Sequence, residues 1–587
     1  MTKALNTRIF YLLFLITACL YIVYFFYYSV NFPFYDDYFL LFDELIKFNH
    51  IDNYVDLIKE LFTQHNDHRV FTHRLTFLII TKILGYIDVQ YMMLIGNLIQ
   101  IGIVLMVVNL FKKEKKIIYA IPVLLIILQP QQYINMFGSY GLYNNGVILF
   151  SFISIYFLSI APLKSRLINI NLAIVFAFLA TFSNGNGISI WFCGGIVLLL
   201  RKKYSDILIW IIVAMVTILI YFKWNYKVPI PVKTKVYFSF DLIFNKAIYF
   251  FSINTAACLV GSYYTPYTII FMVIVALFEG GAIFLLLKRI YNTFSNGIPD
   301  KYCYLIGMLL FVTITNAIVS YFRSGQTISN LPAEYYRIYS LLLFVLCYYI
   351  YVSEITPCLP NIKKYFYIIT TGLGSVFFVV SYYYYTHNWV IDQKNTLEAD
   401  ILNFKANRKV LNFFYINGFV GIGGAPHAWE VVNVIEKNNQ FSIPQDKMYS
   451  WIMNQLNNLS ANQYRLSIKY TNTGIVFFND TYCGAEGLAN THPFIILKSD
   501  KKIYFLPTTR EPVLSFRNHY RYGFKGIIDE QALKHIVENG NYQVYVMTRD
   551  KAGDCIYKTN QVIKNMEYVG TPYFPPLSTY KSGFIFK

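Results

Sequence analysis

The chain has 587 residues, of which 56% are hydrophobic and 19% aromatic, with a mean hydropathy of +0.42. These values lie above those of soluble domains and exclude a water-soluble single-core protein. The net charge of +18 does not mark a nucleic-acid binder, because many Lys and Arg residues sit in short clusters between apolar runs, where they set membrane topology.

The first apolar run, Ile9 to Val30, is long enough to cross a bilayer, since about 20 residues at 1.5 Å rise cover the hydrocarbon core. It reads as an uncleaved anchor, because Tyr27 to Pro33 offers only Ser29 as a small residue for a cleavage site. Lys3 and Arg8 precede it, and later clusters follow at Lys112-Lys113-Glu114-Lys115-Lys116, Lys164-Ser165-Arg166, Arg201-Lys202-Lys203, Lys288-Arg289 and Lys363-Lys364. If each faces the cytoplasm, the runs between them come as out-and-back pairs. Runs near 89–111, 117–133, 145–163, 167–183, 187–200, 206–222, 266–287, 302–321, 336–352 and 365–385 predict, with the first, about eleven crossings. An odd number beginning inside ends outside. The expected protein is a polytopic α-helical membrane protein with a transmembrane domain over 1–385 and an external domain over 386–587. External segments 52–86 and 237–262 mix aromatic and polar residues, as helices in the interface plane do.

Just beyond the first run lies Phe34-Tyr35-Asp36-Asp37-Tyr38. A carboxylate where a membrane helix meets water suits proton abstraction beside a lipid-borne substrate, and Tyr35, Tyr38 and Phe39 suit stacking on a sugar ring. The competing reading of Asp36 or Asp37 is an Asx-type turn capping a helix that begins near Phe39. Next comes Gln64-His65-Asn66-Asp67-His68-Arg69, followed by His73 and Arg74. On a helix, His65, Arg69 and His73 would share one stripe, with Asp67 and Arg74 on a neighbouring one. Such a face recognises anions and hydroxyls, since Arg binds phosphate in bidentate fashion and imidazole hydrogen-bonds a sugar. A metal site at His65 and His68 and a plain solvated face are the alternatives. Further external loops carry Gln131-Gln132, Asn144-Asn145, Ser183-Asn184-Gly185-Asn186-Gly187, Arg323-Ser324-Gly325-Gln326 and Glu334-Tyr335-Tyr336-Arg337.

After the last run the pattern changes. Residues 387–417, 428–439 and 445–456 read as helices, and Arg465 to Tyr470, Phe494 to Lys498 and Tyr542 to Met547 as strands, which predicts an α+β domain ending in a small β-sandwich. Cys483 and Cys555 are the only cysteines there, and a disulfide between them is one reading in an oxidising compartment.

The acidic motif after the first span, the amphipathic segment and the many spans with polar external loops resemble the GT-C class of integral membrane glycosyltransferases. The chain also resembles a bacterial multispan group with a Gln-His-Asn-Glu-His-Arg box, here with Asp67 in place of Glu. Serotype-converting O-antigen glucosyltransferases are among the relatives to which the likeness points. Two further patches resemble that group: Ser183-Asn184-Gly185-Asn186-Gly187 ahead of Trp191, and Arg323 with Gly325 ahead of Tyr336-Arg337. A third, Pro426-His427-Ala428-Trp429 leading to Ile435 and Phe441-Ser442, extends the likeness to about residue 445. The Arg323 patch departs from the group's Gly-Arg and Ser-Arg-Tyr pattern, since Phe322 precedes Arg323 and Tyr336 precedes Arg337.

The resemblance implies transfer of a sugar from a polyprenyl-phosphate donor to a cell-envelope glycan such as O-antigen, on the outer face of the bacterial cytoplasmic membrane. Asp36 or Asp37 would take the acceptor's proton as its hydroxyl attacks the anomeric carbon. Adjacent carboxylates rarely face opposite sides of a sugar, so single displacement is expected. Arg69, Arg74, Arg323 and Arg337 would bind the donor phosphate, with Glu334 beside them, and His65, Asn66, Asp67, His68, Tyr35 and Tyr38 would line the substrate. No cofactor is required by this scheme, with a divalent cation as the alternative. The expected partners are the lipid-linked sugar, the glycan acceptor and membrane lipid, with no nucleic acid. A transporter or flippase for lipid-linked sugar and a non-enzymatic envelope-assembly protein are the rival classes.

Overall fold

The computed structural model describes residues 3–160, 163, 165–227, 240–255, 266–294, 297–323, 334–358, 360–411, 424–444, 447–457, 459, 463–471, 474–482, 492–511, 522–529, 532–533, 537–550 and 553–564. They form two compact units. The first contains 1–27, 51–77 and 91–384, and the second 28–50, 78–90 and 385–587.

The first unit is helical. Among the described residues nine helices are long and apolar enough to cross a membrane: Leu5–Tyr28, Val89–Lys113, Ile117–Met136, Gly141–Ile160, Tyr204–Lys223, Pro266–Thr293, Asp300–Arg323, Arg337–Glu354 and Tyr365–Asn407. Two shorter apolar helices, Arg166–Thr181 and Gly185–Leu200, lie among them. Every apolar run read from the sequence falls on one of these helices. The chain is a polytopic helical membrane protein. Leu12, Leu15, Val23, Leu208, Leu219, Leu277 and Phe284 are exposed, as befits side chains that face lipid.

Without a hydrophobic force between spans, helices associate through close packing and polar contacts. Tyr21 donates to Asn97 Oδ1 at 2.6 Å, and Asn97 Nδ2 to the Met136 carbonyl at 2.9 Å. Gln100 donates to the Ile127 carbonyl at 2.9 Å, and Ser154 to that of Ala173 at 2.8 Å. Small residues admit the neighbours. A Cβ on Gly194 would lie 2.3 Å from the Trp210 ring, and one on Gly187 would lie 1.9 Å from the Ala180 carbonyl oxygen.

Contacts between loop residues define two ends of the bundle. One end carries the basic clusters, where Glu114 pairs with Lys116 at 2.8 Å and with Lys301, and accepts from Ser353 at 2.6 Å and Tyr349 at 3.0 Å. Burial would push the Glu114 carboxyl up, but Lys116, Lys301 and Ser353 outweigh it and bring it down to about 2. The other end carries the polar loops. There the Ile117–Met136 segment is interrupted by Pro130, and Gln129 caps the break by accepting from the Gln131 amide at 2.7 Å. Irregular backbone is tolerated at such depth only where protein covers it, and Gln129, Gln131, Gln132 and Asn135 are all buried.

The second unit is α+β. Its strands run β3 (Gln463–Tyr464), β4 (Ser467–Thr471), β5 (Gly474–Asn479), β6 (Phe494–Lys498), β7 (Ile503–Thr509), β8 (Phe524–Asp529), β9 (Tyr542–Asp550) and β10 (Gly553–Ile563), numbered after the hairpin strands β1 (Gln64–His65) and β2 (His68–Arg69) of the first unit. The expected β-sandwich is instead one continuous eight-stranded sheet of order β3-β10-β9-β6-β7-β8-β5-β4. It turns through β7, whose first part pairs with β6 over Phe494↔Pro507 to Lys498↔Ile503 and whose last two residues pair with β8. Helices Ile391–Asn407 and Lys447–Asn457 bury Ala399, Leu402, Ile452 and Leu456 against Phe494, Ile496, Phe505 and Met547 of the sheet. That covering takes the place of a second stacked sheet. Cys483 lies outside the described residues, so the Cys483–Cys555 pairing is not described either.

Candidate functional site

The acidic pair belongs to the second unit, and its two members differ. Tyr35 adopts a left-handed backbone, φ 52°, which folds the chain back so that Asp37 Oδ2 accepts from the Phe34 amide at 3.0 Å while the Asp37 amide donates to the Phe34 carbonyl at 3.1 Å. Asp37 is fully buried. The cap therefore points back to Phe34, and the helix that follows starts as a π-turn, Tyr38–Asp43, before Glu44–Asn49. Asp36 is half-buried, and its carbonyl accepts from Phe39 at 3.0 Å and Leu40 at 2.8 Å. Tyr38, expected to stack on a sugar, is buried; burial, with Asp400 and Asp37 nearby, drives its hydroxyl well above the ordinary phenol range. Tyr35 stays half-buried, edge-on to Phe34.

The Gln64–Arg69 box belongs to the first unit and is not a helix. Gln64 pairs with Arg69 and His65 with His68 across a two-residue turn, in which Asn66 takes the left-handed conformation that Asn tolerates, φ 53°. The helix begins only at Phe71. The shared stripe of His65, Arg69 and His73 is thus replaced by alternation. Gln64 is held by Lys227, donating to its carbonyl at 2.9 Å and accepting from its amide at 2.8 Å.

Alternation gives the box residues separate tasks. Arg69 is 1% exposed; it donates to the carbonyls of Tyr221 (2.9 Å), Phe62 and Trp224 and lies 5.5 Å from the Tyr221 ring centroid. Its donors close helix ends. Arg74 is buried as well and donates to the Thr63 carbonyl, and His73, buried, meets Ser139 Oγ at 3.1 Å. Burial, then Arg74, pulls the His73 imidazole down to about 3, so it is neutral at physiological pH.

Asp67 and His68 sit at the turn. His68 Nδ1 meets Asp67 Oδ1 at 2.8 Å, Arg323 approaches Asp67 Oδ2 at 3.6 Å, and the Tyr226 hydroxyl donates to the Asp67 carbonyl at 2.8 Å. The bond from His68 is the main cause that brings the Asp67 carboxyl down to about 2; burial opposes it, and Arg323 adds to it. Arg323, with 34% of its side chain exposed, is the candidate arginine at this end that keeps a solvent-facing part. Arg337 opens its helix and is buried. Glu334 falls in the short turn Glu334–Tyr336, and residues 324–333 lie outside the described set.

Behind this turn runs a line of amides. Asn184 Nδ2 donates to Asn144 Oδ1 at 3.0 Å, Asn144 Nδ2 to Asn135 Oδ1 at 2.9 Å, and Asn135 Nδ2 to the Tyr335 carbonyl at 3.2 Å. Asn186 donates to the Tyr339 hydroxyl at 2.8 Å and to Thr315 Oγ1 at 3.2 Å. Tyr143 stands between the two histidines, 5.6 Å from His68 and 5.9 Å from His73. The structure thus joins Asp67, His68 and Arg323 in one group and Asn135, Asn144 and Asn184 in another, and leaves Arg69, Arg74 and Arg337 buried. Sequence reasoning missed Tyr143, Tyr221 and Tyr226; the last two had a signal, as aromatics at the end of a span. Among the described residues no group of three or more His, Cys, Asp or Glu gathers in metal-binding fashion. Comparison with protein-family models, curated proteins and solved structures yields no match for this chain.

Proposed function

We propose that the protein is a membrane glycosyltransferase that moves a sugar from a polyprenyl-phosphate donor to a cell-envelope glycan by single displacement. The observation that carries this reading is the cluster of Arg323, Asp67 and His68 beside the Asn135–Asn144–Asn184 amide line, all at the end of the helical unit opposite its basic loops. A cation with exposed surface suits the phosphate of a lipid at the membrane boundary, and amides with imidazole suit the hydroxyls above it. The topology read from the charge clusters puts Asp36 in an external loop, as a periplasmic residue of the bacterial inner membrane. With Asp37 committed to the Phe34 amide, Asp36 is the general base. It takes the acceptor proton while the anomeric C–O bond to the acceptor forms, the bond to phosphate breaks, and polyprenyl phosphate leaves with the electron pair.

The test is transfer of labelled hexose from polyprenyl-phosphate hexose to envelope glycan by the full chain in nanodiscs. Asp36→Asn abolishes it at unchanged membrane yield. Full transfer by Asp36→Asn overturns the mechanism, and no transfer by the wild type from any such donor overturns the class. One observation favours the transporter alternative: Glu279, near the midpoint of Pro266–Thr293, is buried and its Oε1 has no hydrogen-bond partner among the described residues, and buried intramembrane carboxyls often mark translocation paths. A flipping assay with labelled lipid-linked sugar, comparing the wild type with Glu279→Gln, separates the two.

A further inference from the structure

Two polar groups of the helical unit are buried without a partner among the described residues, on two residues that both approach one glycine. The first is His68. The Asp67 carboxylate, accepting at Nδ1 from 2.8 Å, requires the proton on that nitrogen, so a neutral ring presents Nε2 as an acceptor. Nε2 is buried and has no hydrogen-bond partner among the described residues. The second is Tyr221, 1% exposed, whose carbonyl serves Arg69 while its hydroxyl has no partner among the described residues. A Cβ on Gly185 would lie 3.4 Å from His68 Cβ and 3.8 Å from the Tyr221 hydroxyl. Three distant stretches, the Gln64–Arg69 hairpin, the Gly185–Ile188 turn and the end of Tyr204–Lys223, therefore meet at Gly185.

A buried polar atom left unpaired costs about 1–3 kcal/mol, and native proteins keep few of them without a purpose. One acceptor and one hydroxyl, carried by two residues that approach the same glycine, offer partners to a pair of hydroxyls on a sugar ring. The first donates to Nε2, and the second exchanges a hydrogen bond with Tyr221. A phosphate, whose oxygens only accept, pairs with the Tyr221 hydroxyl alone and leaves an acceptor Nε2 unmatched. Arg323, on the far side of Asp67, supplies the charge instead. The other groups facing the imidazole are the His65 ring, 6.2 Å away, and Tyr143.

We propose that His68, Tyr221 and Gly185 form the subsite that reads the hydroxyls of the donor sugar, with Asp67 as the residue that positions His68. This rests on the transferase reading and names the part of the donor that confers selectivity. The test uses the full chain in nanodiscs and measures binding, without transfer, of decaprenyl phosphate and of decaprenyl-phosphate glucose, galactose and mannose. The wild type prefers at least one sugar-bearing lipid to the bare phosphate. Tyr221→Phe and Gly185→Leu reduce that preference about tenfold and leave affinity for decaprenyl phosphate unchanged, while Gly185→Ala, whose methyl makes only ordinary contacts, retains it. Wild-type preference in both Tyr221→Phe and Gly185→Leu overturns the subsite, and so does an equal loss of both affinities in Tyr221→Phe, which would mark a packing role. A wild type that binds no sugar-bearing lipid better than the bare phosphate overturns the transferase reading itself.

Discussion

Replacing Asp37 by Ala separates the two members of the acidic pair. The substitution removes the acceptor that holds the Phe34 amide at 3.0 Å, and Phe34 is buried, so water does not replace it. A buried amide left unpaired costs about 1–3 kcal/mol; relief from burying a carboxylate offsets part of this, which leaves a net loss of roughly 1–2 kcal/mol. Asp37→Asn retains an oxygen at the same place and costs under about 1 kcal/mol. Thermal unfolding of the full protein in detergent, followed by intrinsic fluorescence, reads the difference. A unit of this size loses roughly 2–4 °C per kcal/mol, so Asp37→Ala melts several degrees early and Asp37→Asn close to the wild type. Asp36→Asn melts like the wild type yet loses about 10²–10⁴-fold in transfer, the span general-base catalysis supplies. The reasoning is refuted if Asp37→Ala leaves the midpoint unmoved while Asp37→Asn abolishes transfer, because the roles would then be reversed.

Arg69→Lys is expected to destabilise the hairpin by about 2 kcal/mol, since one ammonium cannot span three carbonyls in the planar arrangement that guanidinium fits; the checks are an earlier melt and faster proteolysis near residue 65. Arg323→Gln raises the KM for lipid-linked donor about tenfold with a smaller change in kcat, as loss of one charge-assisted bond to phosphate requires, read from donor titrations. Glu114→Ala, which strands Lys116 and Lys301 with 17% and 32% of their side chains exposed, lowers stability by about 3 kcal/mol. In the wild type the Glu114 carboxyl is held below its unfolded value, so its contribution is complete above that value and disappears as pH falls toward about 2; acid unfolding curves of wild type and Glu114→Ala converge at that end. Gly187→Ala sets a methyl 1.9 Å from the Ala180 carbonyl oxygen, and size-exclusion of the tagged protein reports loss of the folded peak.

Membrane class, helix positions and the polar loops were legible from the chain alone, because hydropathy and charge act over windows of a few turns and the bilayer acts on each span separately. Phe494–Lys498 was legible as a strand for the same reason: five residues with strong β-preference need no distant partner to be recognised. What the local pattern misread was the Gln64–Arg69 box, whose i, i+4 spacing fits a helix. Residues far along the chain decide otherwise, since Lys227 ties Gln64 and the carbonyls of Tyr221 and Trp224 capture Arg69. The sheet likewise closes by pairings such as Asn479↔Phe524 and Phe494↔Met547, which no window contains.

The sequence by itself determined that carboxylates, imidazoles and arginines stand in loops beside membrane spans, for composition and spacing are local properties. Only the tertiary structure decided which of them are spent on the fold. Asp37, Arg69 and Arg74 are enclosed and bonded to backbone, while Asp67, with 49% of its side chain exposed, and Arg323 keep a solvent-facing part. The physical reason is that a buried polar group must find a partner, and for Arg69 that partner comes from Tyr221 and Trp224, more than a hundred residues along the chain.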